Sequence, residues 1–139
     1  MSFSSRTMQP DDWALIRNWR SREFAKPDSM GFEFMLWLDN LRDRAGVPMV
    51  CTSSFRSAEH NIAVGGATDS AHTDIPCDAV DIGERPRPDD PNWNLSRWKI
   101  VTAAIELGCK RIGLYANGSI HLDRTETKRP APRLWRVVR

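Results

Sequence analysis

The sequence predicts an α+β fold: a small, mostly antiparallel sheet with helices packed on one side. Three observations predict it. Apolar residues recur at helical spacing in 31–45 and 94–108. An Asn-Gly pair joins two short apolar runs, 110–115 and 119–123, which is the strongest short-range hairpin signal. The elements arrive as helix, strand, helix, strand, helix, hairpin, without the strict alternation that builds a parallel sheet.

The chain opens on a polar lead-in, 1–28, with one short helix expected near Trp13 to Trp19. Helix 31–45 carries Phe34, Leu38 and Leu41 on one face, and Gly46 with Pro48 closes it. The run 48–53 reads as a short buried strand. Ser57 is a candidate cap for a short helix at 57–61, and Gly65-Gly66 turns the chain into a loop. Residues 77–82 read as a strand, and 84–92 as a loop rich in proline and charge. Helix 94–108 is expected to start at a cap on Asn94, to end at Gly108, and to turn Trp98, Val101, Ile105 and Leu107 inward. After the hairpin, 134–138 is expected to add an edge strand.

The 139 residues, 40% hydrophobic and 27% charged, fit a single globular domain over 1–139. A net charge of +2 gives no argument for nucleic-acid binding. No run approaches the roughly 18 apolar residues that a membrane span needs, so membrane insertion is not expected. The N-terminus lacks the apolar core of a secretory signal. The protein is therefore expected to stay in the cytoplasm until another factor releases it. Three widely spaced cysteines, Cys51, Cys77 and Cys109, form neither a disulfide framework nor a CxxC metal site and read as small core residues.

The chemistry concentrates on few residues. Of three histidines, His72 has Asp81 nine residues on, and His121 has Asp123 two residues on, a strand spacing that places both on one face. A catalytic zinc commonly takes three protein ligands and keeps a fourth position open. His72, Asp81 and His121 meet that count if their strands are neighbours. Two nitrogens and one oxygen favour zinc among the divalent ions. Asp78 is the other candidate ligand, but its odd separation from Asp81 puts it on the opposite face.

The segment 52–82, TSSFRSAEHNIAVGGATDSAHTDIPCDAVDI, resembles the signature of the zinc D-alanyl-D-alanine carboxypeptidases and peptidoglycan endopeptidases, relatives of the hedgehog domain. The matching positions are Ser53, Arg56, Asn61, Gly65, Gly66, Ser70, His72, Ala79, Asp81, Ile82, His121 and Asp123, with Tyr115 and Trp135 also fitting. The resemblance spans about 31–136. Two departures stand out: the His72-to-Asp81 interval is two residues longer than usual, and Cys77 replaces a glycine.

The resemblance implies one zinc ion on His72, Asp81 and His121, polarising the scissile carbonyl and acidifying a water. Many family members carry a carboxylate three residues before the last histidine, where this chain has Gly118. Asp123 is therefore the candidate proton acceptor, or else the residue that orients His121. Arg56 resembles the arginine that binds a substrate carboxylate or the developing oxyanion. Ser70 is a substrate contact or a loop-shaping residue, and Trp135 a stacking platform or a core residue. Asn61 and the two glycines read as structural, His60 as solvent-facing, and Asp69 and Asp74 as surface charges.

The tail 124–139 holds six basic residues and one acid. It suits attraction to an anionic wall and equally a solvated edge. The expected activity is hydrolysis of peptidoglycan stem peptides or cross-links by a monomer, in the manner of a phage lysin. The alternative is a metal-stabilised module that binds peptidoglycan or protein without cutting, as a virion component for example; the glycine at 118 is the feature that favours it.

Overall fold

The computed structural model describes residues 3–83 and 91–137. Three helices, α1 (Phe32–Ala45), α2 (Ala58–Ala63) and α3 (Pro91–Glu106), accompany five strands: β1 (Val50–Ser53), β2 (Ala79–Gly83), β3 (Arg111–Tyr115), β4 (Ile120–Asp123) and β5 (Arg133–Val137). The strands form one sheet in the order β1-β2-β4-β3-β5. Every neighbouring pair is antiparallel except β3 and β5, so the fold is the α+β arrangement that the sequence predicts.

Register determines what each face of the sheet carries. Val80 lies opposite Leu122 and Ile82 opposite Ile120, with Ile112 opposite Leu122 on the next strand. All are buried and join one core with Phe34, Met35, Leu38 and Leu41 of α1 and Ile100 and Ala104 of α3. Burying each large side chain contributes roughly 1.5–3 kcal/mol. On the alternate positions Asp81 lies opposite His121, Ala79 opposite Asp123, Arg111 opposite Asp123, and Gly113 opposite His121 and Trp135. One face is therefore apolar and packed, and the other holds the polar side chains.

α1 closes on Gly46 at φ 64°, a left-handed conformation that glycine adopts without steric cost. The hairpin turns at Gly118, φ 97°, with its N–H donating to Tyr115 O at 3.0 Å. Ser57 caps α2 as expected, accepting the His60 N–H at 3.1 Å.

Several expectations need correction. α3 begins at Pro91, so Asn94 lies inside the helix. A proline suits the first helical position, where its missing N–H has no helical partner to lose. Its inward face is Trp93, Ile100, Ala103 and Ala104, while Trp98 is 72% and Ile105 59% exposed. The early start brings Trp93 into play, and its Nε1–H donates to Gly118 O at 2.9 Å; helical spacing from that anchor turns Trp98 outward. The short helix expected near Trp13 to Trp19 is a 3-10 helix over Pro10–Leu15. The segment read as a polar lead-in supplies Met8, Ile16, Trp19 and Phe24 to the core. The expected loop at 84–92 lies outside the described residues up to 90, and its last two positions open α3.

Asp69 and Asp74 are not idle surface charges, because the 8%-exposed Arg129 pairs with both, at 3.0 and 2.7 Å. Cys77 and Cys109 are buried and Cys51 half-buried, and all three are free thiols.

Candidate metal centre and cleft

Asp81 and His121 are directly opposed on adjacent strands, so the sheet itself brings them together. His72 arrives from a one-turn 3-10 helix, Ala71–Thr73, capped by Ser70, whose Oγ accepts the His72 N–H at 3.2 Å. The turn is tied to the segment before α2 by the Arg56 N–H, which donates to His72 O at 2.8 Å. A loop over 74–78 joins this turn to β2, where Asp81 pairs with His121.

Three donor atoms meet in a near-equilateral triangle. His72 Nε2 lies 3.2 Å from His121 Nδ1 and 3.2 Å from Asp81 Oδ1, and His121 Nδ1 lies 3.0 Å from the same oxygen. A tetrahedral zinc with bonds of about 2.0–2.1 Å needs donors roughly 3.3 Å apart, so the spacing fits. The remaining ring nitrogens are each committed elsewhere. His72 Nδ1 donates to Ser54 O at 2.6 Å and His121 Nε2 to Asp123 Oδ2 at 2.7 Å. These bonds fix the tautomers that leave both inward nitrogens with free lone pairs. The same three residues form the one cluster of metal-capable side chains among the described residues, and all three are buried.

The electrostatics suit a cation. Burial raises Asp81, but in the metal-free cluster the proton-bearing forms of His121 and His72 outweigh it and hold the carboxyl well below its ordinary range. Burial lowers His72. Burial also opposes a charge on His121, yet Asp123 and Asp81 overcome it and push the imidazole up to about 9. A proton and a metal would compete for this position.

Asp123 is fully buried and saturated. It accepts from His121 Nε2, from Arg111 Nε at 2.8 Å, and from the N–H and hydroxyl of Thr125 at 3.1 and 2.6 Å. It sits behind His121, on the nitrogen that faces away from the cluster. Asp78 is separate from the cluster: its Oδ2 accepts the Ser4 N–H at 3.2 Å, and it abuts Gly31, where an added Cβ would lie 2.0 Å from its Oδ1.

Arg56 is 5% exposed and held by Ser53 Oγ (3.1 Å), Asn61 Oδ1 (3.0 Å) and Asp81 Oδ2 (3.5 Å). Asn61 in turn needs Gly66, since a Cβ there would stand 1.9 Å from its amide oxygen. Tyr115, to which the residue pattern alone gives no role, donates its hydroxyl to Asp81 Oδ2 at 3.0 Å. Its position at the end of β3, two residues past Gly113 opposite His121, was the available signal.

Two cavities flank the cluster and share Arg56 and Tyr115. One of about 250 Å³ is lined by Thr52, Ser53, His60, Asp81, Asn117 and Ser119. The other, of about 440 Å³, is lined by Ser70, His72, His121, Arg133, Trp135 and Arg136 among others. His60 is exposed, as expected, but also borders the first cavity. Trp135 is neither core nor isolated: it is half-buried, with its ring 5.3 Å from that of His121 and packed on the bare Cα of Gly113.

The family model of Peptidase M15 matches residues 14–123, well over half of the chain. The chain belongs to the M15 peptidase family. No curated protein matches it. Members of the M15 family are zinc-dependent peptide hydrolases that act on peptidoglycan, and the triangle of His72, Asp81 and His121 is a metal-capable site of the kind that this chemistry needs. Among the described residues, no helix is long and apolar enough to cross a membrane.

Proposed function

We propose that this M15 peptidase holds one zinc ion on His72, Asp81 and His121 and cuts a peptide bond within peptidoglycan stem peptides or their cross-links. The observation that carries the proposal is the triangle of donor atoms with both imidazole tautomers already set. When bound, the ion supplies Lewis-acid chemistry: polarisation of a carbonyl and acidification of water.

The protein's own groups do the rest. Arg56 and Tyr115 hold Asp81 Oδ2, which leaves Oδ1 for the ion, and both border the two cavities. They are placed to donate to the oxygen of a carbonyl lying across the cluster, where a guanidinium and a phenol in a partly dry site stabilise developing negative charge. Asp123 orients His121 and keeps its proton on Nε2. Proton acceptance then falls to the cleft wall. Of the described carboxylates there, Asp81 is a ligand, Asp123 lies behind His121, and Asp69 is paired with Arg129. The imidazole of His60 and the phenol of Tyr115 are the groups left to exchange a proton. Two cavities, one bordering Asp81 and the other His72 and His121, suit a substrate extending both ways, and so an endopeptidase cut.

The test is turbidity loss of purified cell walls, with mass spectrometry of the released fragments. Chelation should stop the loss, zinc should restore it, and Asp81→Asn should prevent both zinc retention and hydrolysis. Hydrolysis that survives complete metal removal would refute the proposal, and fragment masses showing loss of a terminal residue alone would replace the endopeptidase cut with a carboxypeptidase one.

A further inference from the structure

The charges around the cleft are unevenly paired. Arg56 is engaged by Asp81, Arg111 by Asp123 at 2.8 Å, and Asp69 by Arg129 at 3.0 Å. Arg133 and Arg136 border the larger cavity and have no ion-pair partner among the described residues. The smaller cavity, on the other side of the cluster, is lined by neutral hydroxyls and an amide from Thr52, Ser53, Asn117 and Ser119, beside His60. The surplus positive charge therefore lies on the β5 side alone.

This side is also organised. Trp135 packs its ring on Gly113, where even a methyl would come within 2.8 Å. The Arg111 and Arg133 guanidiniums lie 5.0 and 5.2 Å from the ring centre, within cation–π range. The indole thus holds the unpaired Arg133 guanidinium, itself lies against His121, a candidate zinc ligand, and offers apolar surface in the same cavity. A guanidinium presents a planar fork of donors that matches a carboxylate.

Resting on the peptidase reading above, we propose that Arg133, held on Trp135, with Arg136 further along the same cavity, forms a subsite for a free carboxylate of the substrate peptide. Stem peptides carry such carboxylates, and amidation removes the charge while keeping the shape. The subsite therefore makes the enzyme selective for the free acid over the amide, and fixes the direction in which the peptide lies across the cluster.

The experiment uses the zinc-loaded full chain and two soluble stem peptides that differ only in carrying free carboxylates or carboxamides. Wild type should show kcat/KM at least about tenfold higher for the acid, mainly through KM, and Arg133→Gln/Arg136→Gln should bring the ratio close to one. Both side chains are exposed, and zinc content reports that the variant is folded. Equal rates for the two peptides in wild type, or an undiminished preference in the double variant, would overturn the subsite. If neither peptide nor intact wall is cut, the peptidase reading fails, and calorimetric binding of the same two peptides then decides the subsite. Tighter binding of the acid that disappears in the double variant supports it, and equal binding rejects it.

Discussion

Asp123 meets His121 at the nitrogen turned away from the cluster, and that position determines what its loss should do. A carboxylate behind a metal-binding imidazole raises the ligand's basicity and fixes its orientation, and its removal typically costs 10–100-fold in metal affinity. Asp123→Asn should accordingly weaken zinc binding by about 10–100-fold, with activity largely recovered at saturating zinc. Loss of a proton acceptor would instead leave the zinc dissociation constant intact and lower kcat by about 10²–10⁴ at any zinc concentration. Zinc titrations paired with rate measurements separate the two, and the second pattern would return Asp123 to the role of base. At this scale the grouping of His72, Asp81 and His121 was legible, less from their spacing than from the resemblance of the segment around them, which also singled out Arg56. The role of Tyr115 was not: it fits the motif and ends β3 beside His121, but neither feature shows that its hydroxyl will reach a carboxylate 34 residues away in sequence.

The 3-10 turn that carries His72 is too short to hold itself in place, and its support comes from elsewhere in the chain. Arg129 donates to the Asp69 carbonyl and to the carboxylates of Asp69 and Asp74, which bracket the turn on both sides. Hydrogen bonds to charged groups are worth about 1.5–3 kcal/mol each in mutational series; Asp69 is 83% exposed, so most of the effect should come through Asp74. Arg129→Ala should destabilise the protein by about 2 kcal/mol and also weaken zinc binding, since His72 loses its anchored turn. Thermal melts with and without zinc check both: a melting point lowered equally in the two conditions would show that the clamp serves stability alone. Local sequence signals located this element's neighbours well. The hairpin, the α1 stop at Gly46 and the Ser57 cap are encoded in a few adjacent residues. The inward face of α3 was misread because Trp98 and Ile105 form a plausible helical stripe, and only the docking of Trp93 at the hairpin turn determines which stripe faces the core. The Arg129 clamp was hidden for a similar reason, as pairs 55 and 60 residues apart have no local signature.

Across the whole molecule, the N-terminal segment, α1 and β2 are joined at Asp78. Its Oδ2 accepts the Ser4 N–H, Ser4 Oγ accepts the Phe34 N–H at 3.0 Å at the start of α1, and the Asp78 carbonyl accepts the Arg124 N–H at 2.9 Å. Its Oδ1 is buried with no partner among the described residues. Burial, only partly offset by Ser4, pushes the carboxyl up to about 6 from an ordinary 3.8. The folded protein therefore binds more protons than the unfolded chain between about pH 4 and 6, and this group's contribution to stability falls as pH rises through that window. A shift of this size corresponds to roughly 2–3 kcal/mol at pH 7. Asp81 and Asp123 act oppositely, since their lowered folded values make stability fall only as the solution becomes more acidic than about pH 4. His121, raised to about 9, stabilises the metal-free protein below its ordinary value near 6.5, and that contribution is lost as pH rises from there to about 9. Asp78→Asn keeps the acceptor for Ser4 and removes only the first of these effects. In the metal-free protein its melting point should exceed that of wild type at pH 7, and the gap should shrink to about a third by pH 4.5 and close below about pH 4. The alkaline decline due to His121 should be the same in both proteins. A gap that stays constant from pH 4.5 to 7 would mean that Asp78 is already comfortably ionised in the fold, and that its contact with Ser4 outweighs its burial.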